Sequence, residues 1–263
     1  MNLEIICKQV CDLAKETGAF IRKEVSRLKQ SDIEIKGSHD FVTYVDKTSE
    51  KKIIDSLKKI IPEAGFIAEE NTIEKKEAKY QWVIDPLDGT TNFIHSVPCF
   101  SISIALMRDD AVVLGVVYEI NLDECFYACE DGKAFCNGKE IHVTNAAMMN
   151  DTLLATGFPY YDYDWLEGYM KFFVYCLKNT HGLRRIGSAA VDLVYVACGR
   201  FDGFFEYSLR PWDVAAGAFI VQRAGGKVFD FSGGNNYIFG KEIIACNSNI
   251  AGQMLELAME YFV

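Results

Sequence analysis

The segment Asp85-Pro-Leu-Asp-Gly-Thr-Thr-Asn-Phe-Ile94 holds the densest chemistry in this chain of 263 residues. It follows the apolar run Trp82-Val83-Ile84, which predicts a buried strand. Two carboxylates, Asp85 and Asp88, leave the end of that strand with Pro86 and Leu87 between them. Pro86 fixes a backbone angle and Gly89 permits a tight turn. The segment can therefore hold two acidic groups and several backbone N–H groups around one point. Hard divalent cations take oxygen ligands, and phosphate oxygens take backbone N–H groups at a turn or helix start. The chemistry implied is metal-assisted reaction of a phosphate. The plain alternative is an acidic turn with Asp88 as a helix cap, and short motifs match by chance often enough to keep it open.

Three further acids stand at equivalent places, the end of a strand or the start of a helix. Glu69 follows Gly65-Phe-Ile-Ala68, Asp46 follows the run Phe41 to Val45, and Asp213 follows Arg210-Pro-Trp212. One such acid is usually a cap or a solvated end. Several converging is another matter, because two carboxylates about 4 Å apart repel by about 4 kcal/mol at an effective dielectric of about 20. Bound divalent ions reverse that sign. Chain position does not bring these groups together by itself, since Asp88 and Asp213 are 125 residues apart (213 − 88).

The elements that must position these acids are legible from periodicity. Leu3, Ile6, Val10, Leu13, Thr17, Phe20 and Val25 recur at helical steps, predicting a first helix that ends near Leu28. Ile33, Ile35 and Phe41 to Val45 predict a hairpin around Lys36-Gly37-Ser38-His39, and Asp46 opens a second helix that stops before Pro62. Gly65 to Ala68 predicts a strand, and the charged loop Glu74 to Lys79 leads to the strand before Asp85. Runs at 101–107, 111–119 and 124–129 predict further strands, with Asp109-Asp110 as a turn. From about residue 143 strands and helices alternate. Leu153 to Thr156 and Phe204 to Glu206 predict strands. Trp165 to Leu177, Ser188 to Cys198 and Pro211 to Arg223 predict helices, the last with proline in its first turn and Gly225-Gly226 at its end. The expectation is an α+β lobe over 1–142 and an α/β lobe over 143–263, with the site between them.

Composition narrows the function. Half of the residues are apolar, enough for a large core. The chain has 27 basic and 37 acidic residues, a formal charge of −10, which argues against a general nucleic-acid or anionic-membrane binder. Nine cysteines, mostly in apolar stretches, predict free thiols in a reducing, cytoplasmic setting. Cys7/Cys11 and Cys125/Cys129 are spaced by four with no matching histidine pair, so zinc is not expected. No segment approaches the roughly 20 apolar residues of a membrane span, and no signal peptide is expected.

The set Asp46, Glu69-Glu70-Asn71, Trp82-Val-Ile-Asp-Pro-Leu-Asp-Gly-Thr-Thr-Asn-Phe93 and Trp212-Asp-Val-Ala-Ala-Gly217 resembles the inositol monophosphatase family of metal-dependent phosphatases. Arg184-Arg-Ile-Gly-Ser-Ala-Ala-Val-Asp-Leu193 and Gly199-Arg-Phe-Asp-Gly-Phe-Phe-Glu206 are similar to its bacterial branch. The resemblance runs over essentially the whole chain. It implies an αβαβα layered sandwich, the architecture of the inositol monophosphatase and fructose-1,6-bisphosphatase superfamily. It implies Glu69, Asp85 and the Leu87 carbonyl as ligands of one Mg²⁺, Asp85, Asp88 and Asp213 as ligands of a second, and Glu69 shared with a third, weaker ion. Asp46 with Thr90 would orient and deprotonate the attacking water, and Glu69 would act with them. Backbone N–H groups around Gly89, Thr90 and Thr91 would bind phosphate. Gly187, Ser188 and Ala189 would wall the ring, and Glu206 would accept substrate hydroxyls. The five acids carry about −5 and a phosphate dianion about −2, a sum that two or three Mg²⁺ ions nearly balance. Inhibition by Li⁺ is implied as well.

The activity implied is hydrolysis of myo-inositol monophosphate, a small phosphate ester, to inositol and phosphate. Relatives within the superfamily act on 3′-phosphoadenosine nucleotides or fructose 1,6-bisphosphate, and some bacterial relatives serve as RNA-associated transcription factors. A phosphatase with an aspartate nucleophile is a mechanistic rival, but there one residue separates the two acids, against two here. Lesser candidates are Lys36 near the site, His95 at its entrance, and Arg184-Arg185 near the site or at a subunit interface; His39, His142 and His181 form no ligand set. The aromatic stretch Phe158 to Tyr175 reads as core and interface packing, which favours a homodimer.

Overall fold

The computed structural model describes residues 1–37, 40–72, 78–160 and 162–262. Ser38 and His39 of the expected hairpin turn, the Glu74–Glu77 part of the charged loop and the Lys36 side chain lie outside the described set. The first helix, α1 (Leu3–Glu24), starts at an Asn2 cap that accepts the Ile5 N–H and buries Ile6, Val10, Ala14 and Ile21 on one face. It stops short of Leu28 because the Arg27 and Leu28 N–H groups both turn back onto the Glu24 carbonyl. A short antiparallel hairpin, β1 (Ile33–Gly37) and β2 (Asp40–Thr43), leads into α2 (Tyr44–Ile60). The strand thus ends at Thr43, and Asp46 is the third residue of α2 rather than its opening residue.

A sheet of seven strands follows, in the order of the chain. These are β3 (Gly65–Ala68), β4 (Tyr80–Asp88), β5 (Ser101–Arg108), β6 (Ala111–Glu119), β7 (Glu124–Cys129), β8 (Ala134–Cys136) and β9 (Lys139–Glu140). Only β3 and β4 pair in parallel; the other neighbours pair antiparallel. The five-residue helix α3 (Thr90–Ile94) sits between β4 and β5.

The second sheet has five strands in the order β11-β10-β12-β14-β13. They are β10 (Leu153–Thr156), β11 (Gly182–Arg184), β12 (Gly203–Tyr207), β13 (Lys227–Phe229) and β14 (Glu242–Cys246). β10 is parallel to both its neighbours, while β14 is antiparallel to β12 and β13. The helices are α4 (Leu166–Asn179), α5 (Ala189–Ala197), α6 (Pro211–Arg223) and α7 (Ala251–Phe262). Three cores stack the molecule as helix, sheet, helix, sheet, helix. α1 and α2 cover the seven-stranded sheet through Val10, Ile53, Trp82 and Ile104. α5 and α6 fill the space between the sheets through Leu193, Val214 and Ile220. α4 and α7 cover the outer face of the five-stranded sheet through Phe172, Phe205 and Met254. This is the αβαβα architecture expected.

One departure from regular pairing matters most. The strand before the acids does not stop at Ile84; β4 continues through Pro86 to Asp88. Asp85 faces Ser103 and Asp88 faces Ser101, so three steps on β4 oppose two on β5. That extra residue is a bulge, the place where a sheet tolerates proline. Side chains on a regular strand alternate between faces. Trp82 and Ile84 point to α1 and α2, while Val83 points to α5 and α6. Leu87 rejoins the cluster of Trp82, so the bulge has shifted the alternation, and Asp88 returns to the side of Asp85.

The central helices approach the first sheet closely. A Cβ at Gly115, on β6, would lie 2.8 Å from the Ala216 carbonyl oxygen of α6. Gly115→Val is expected to push α6 off the sheet and cost about 1–3 kcal/mol. Chemical denaturation measures it, and an unchanged midpoint would mean that the contact does not hold α6 in place.

Candidate active site

A cavity of about 450 Å³ opens where the two sheets meet the first turns of α5 and α6. Glu69, Asp85, Leu87, Asp88, Gly89, Thr90, Thr91, Gly187, Ser188, Ala189, Glu206 and Asp213 all line it. Every expected site residue except Asp46 is therefore at the wall. Asp46 lies behind Thr90, buried, and reaches the cavity through it.

Asp46, Asp85, Asp88 and Asp213 are each held by a donor. Asp46 and Asp213 both occupy the third position of their helices, and each returns one oxygen to a backbone N–H three residues earlier. The Thr43 N–H donates to Asp46 Oδ2 at 2.9 Å, and the Arg210 N–H donates to Asp213 Oδ2 at 2.7 Å. Thr43 adds its hydroxyl to Asp46 Oδ2 at 2.6 Å while capping α2 through the Val45 N–H. The other oxygen of Asp46 receives the Thr90 hydroxyl at 3.0 Å. Asp85 Oδ1 accepts the Leu87 N–H at 2.9 Å inside the bulge. Asp88 Oδ2 accepts the Ser188 hydroxyl at 2.6 Å and the Ala190 N–H at 2.8 Å, so it sits on the first turn of α5.

The electrostatics are those of like charges kept from water. Burial raises Asp85 well above the usual carboxylate range, and Glu69, Asp88 and Asp213 add to it. Burial pushes Asp88 up to about 6, against its hydrogen bonds from Ser188 and α5 and the nearby Arg185 charge. Glu206 is raised by burial and by Asp213, and Asp46 by burial despite its threonine partners. The donor set is all oxygen, which suits a hard cation. Among the described residues no three His, Cys, Asp or Glu side chains alone form a group that could enclose an ion. An ion held here would need oxygen ligands beyond these carboxylates, such as backbone carbonyls and water.

Several residues of the site were not singled out in the sequence. Ser101 and Ser103 point from β5 toward the central helices: Ser103 donates to the Trp212 carbonyl at 3.0 Å, and Ser101 meets Ser188 at 3.2 Å. Their alternation in an apolar strand was a visible signal. Asn92 donates to the Cys99 and Ile186 carbonyls at 2.7 and 2.8 Å, tying α3 to the segment before α5. Gly89 has φ +93° and faces the Gly187 carbonyl where a Cβ would stand 3.1 Å away, so this turn needs glycine. Gly157 leaves the space that the Glu206 carboxyl group fills. Asp192, buried on α5, lines the cavity with Oδ1 lacking a hydrogen-bond partner. Of the arginine pair, Arg185 lines the cavity, 2.6 Å from the Tyr160 hydroxyl, whereas Arg184 is exposed and bonds the Leu183 carbonyl. His95 is exposed at the end of α3 and lines no part of the cavity, and His142 pairs with Glu140.

A model of the inositol monophosphatase family matches residues 2–262. This chain belongs to the inositol monophosphatase family. It is 42% identical over 243 residues to the Nus factor SuhB of Escherichia coli K12, covering 92% of this chain and 91% of that one. It is 36% identical over 248 residues to an inositol-1-monophosphatase of Mesorhizobium japonicum, covering 92% of each. Among solved structures, the IMPase of Thermotoga maritima superposes with a TM-score of 0.86 at 35% identity, covering 96% of each chain.

The Thr43 side chain is fully buried between its cap and Asp46. Thr43→Val keeps its shape and removes both hydrogen bonds, so it is expected to destabilise the fold by about 1–2 kcal/mol. Thermal unfolding at neutral pH checks this, and an unchanged transition would show that the threonine does not support Asp46.

Proposed function

We propose that this chain is a Mg²⁺-dependent phosphomonoesterase whose preferred substrate is a myo-inositol monophosphate. The observation that carries this reading is the Thr90 hydroxyl 3.0 Å from Asp46, at the rim of a cavity walled by Glu69, Asp85, Asp88 and Asp213. Glu69, Asp85 and the Leu87 carbonyl are proposed for one ion, Asp85, Asp88 and Asp213 for a second, and Glu69 for a weaker third. Bound there, Mg²⁺ supplies the positive charge that activates water and offsets the phosphate oxygens. The basic side chains at the cavity wall are those of Arg185 and Arg210.

The chain's own residues handle protons and position. Thr90 Oγ has one hydrogen and two acceptors, Asp46 Oδ1 at 3.0 Å and the Leu87 carbonyl at 2.9 Å. It can pass that hydrogen to Asp46 while taking one from the attacking water. Burial raises Asp46, which favours it as the receiving group. The first turn of α3, Gly89 to Thr91, offers backbone N–H groups to phosphate. Gly187, Ser188 and Ala189 form the wall beside the polyol, and Glu206 accepts its hydroxyls. The Arg185 guanidinium, 5.4 Å from the Phe158 ring centre, stands beside them. An exposed apolar stripe on α4, Leu166, Met170, Val174 and Leu177, supports a homodimer.

A second reading, a regulatory role by docking on a protein complex, is favoured by the 42% identity to Nus factor SuhB. The net charge of −10 argues against direct nucleic-acid contact as its basis.

Phosphate release from inositol 1-phosphate is expected to exceed that from fructose 1,6-bisphosphate and 3′-phosphoadenosine 5′-phosphate, and to vanish without Mg²⁺. Asp88→Asn should lower it at least about 10²-fold. A preference for either bisphosphate would replace the substrate assignment, and full activity of the variant would remove Asp88 from the site. With Asp88 pushed up to about 6, the carboxyl holds a proton below that pH and releases it above. Mg²⁺ affinity should therefore climb from pH 5 to 7, with proton release on binding at the lower end. Calorimetric titration in buffers of different ionisation enthalpy reads both, and a flat pH response would contradict the coupling.

A further inference from the structure

A second cavity, of about 930 Å³, lies between the start of α1 and strands β7 and β8, and shares no lining residue with the acidic one. Four of the nine cysteines line it: Cys7, Cys11, Cys125 and Cys129. Two periodicities bring them there. Cys7 and Cys11 are four apart on a helix and share its face. Cys125 and Cys129 are four apart on a strand and share a face of the sheet. Where α1 crosses β7, the Cys129 thiol donates to the Leu3 carbonyl at 3.7 Å, one helical turn before Cys7, so the two pairs face each other across the seam. A row of four sulfurs therefore runs across the seam, all as free thiols. Among the described residues they do not form a group that could hold a metal ion.

The four are not equivalent. Cys7, Cys11 and Cys125 are buried, whereas Cys129 is half-buried, with its sulfur 3.7 Å from the Leu3 carbonyl. The neighbouring Cys7 thiol holds the Cys129 thiol below the usual thiol range, and the neighbouring Cys11 thiol, then burial, push Cys125 up. Thiolate character and access decide which sulfur reacts. Cys129 has both, and Cys7 is its immediate neighbour.

We propose that Cys129 and Cys7 are a redox pair that closes to a disulfide across the α1–β7 seam when the protein meets a hydroperoxide. The Cys129 thiolate attacks a peroxide oxygen, the O–O bond breaks, and the leaving hydroxide takes a proton to become water (or alcohol, for an alkyl peroxide). Cys129 is then a sulfenic acid. The Cys7 sulfur displaces the hydroxyl from it, and the Cys7 proton leaves with that hydroxyl as a second water. The two sulfurs lose two electrons and the peroxide gains them. A dithiol reverses the bond by exchange. This modification is independent of the phosphatase reading.

The test uses the whole chain, fully reduced, treated with equimolar hydrogen peroxide, then alkylated and digested without reductant for mass spectrometry. The expected result is a peptide linking Cys7 to Cys129 and a fall from nine free thiols to seven, restored by dithiothreitol. Cys7→Ser and Cys129→Ser should each abolish the link, and Cys246→Ser should keep it. An unchanged thiol count, a link through other cysteines, or oxidation of Cys129 that stops without a link would overturn the proposal. The wild-type peptide map decides the matter even if a serine variant fails to fold.

Discussion

Carboxylates of one sign, kept from water around a single cavity, set the terms for the rest of the molecule. Asp85, Asp88 and Glu206 are all raised by burial, and neighbouring carboxylates push Asp85 and Glu206 further. A flexible chain would turn such groups outward, so the scaffold must hold each one where its own electrostatics disfavour it. For the four aspartates it does so with short bonds. Asp85 is tied to the Leu87 N–H, Asp88 to Ser188 and the first turn of α5, Asp213 to the Arg210 N–H, and Asp46 to Thr43. Each donor lies on the acid's own turn or on the end of a neighbouring helix, so orientation comes with the backbone.

The central layer joins those local ties into one site. α5 and α6 stand between the sheets and present their N-terminal turns to β4 and β5. Ser101 and Ser103 reach across from β5 to Ser188 and to the Trp212 carbonyl. Asn92 fastens α3 to the segment before α5. Close packing at Gly115 fixes the height of α6 above the sheet. Residues with no part in the chemistry thus decide where Asp88 and Asp213 sit relative to each other.

Much of this was legible in the sequence because it is local. Proline in the first turn and the glycine pair at the end mark α6, and the acid motif announces itself by residue type. The expected wall residues are at the wall. What escaped depends on partners far along the chain. Nothing near Gly157 says that it makes room for Glu206, and nothing near Asn92 names Ile186. Asp46 read as a helix opening, since the cap role of Thr43 is visible only when the β2 strand is known to end there. The run Glu242 to Cys246 and the helical spacing of Met254, Leu257 and Ala258 were readable signals for β14 and α7. Those two elements complete the second sheet and its cover.

The bulge in β4 has a consequence for motif length. On a plain strand, two residues share a face only when an odd number of residues lies between them. Asp85 and Asp88 have two between them, an even number, and they share a face because the bulge adds one count to their strand and none to β5. Parity, then, is built into the spacing. Changing the letters at Pro86 or Leu87 alters packing by degrees, whereas removing one residue there would make a pair that needs no bulge and suits a different backbone. The interval between the two acids is a property of the sheet's register as much as of the chemistry the acids perform.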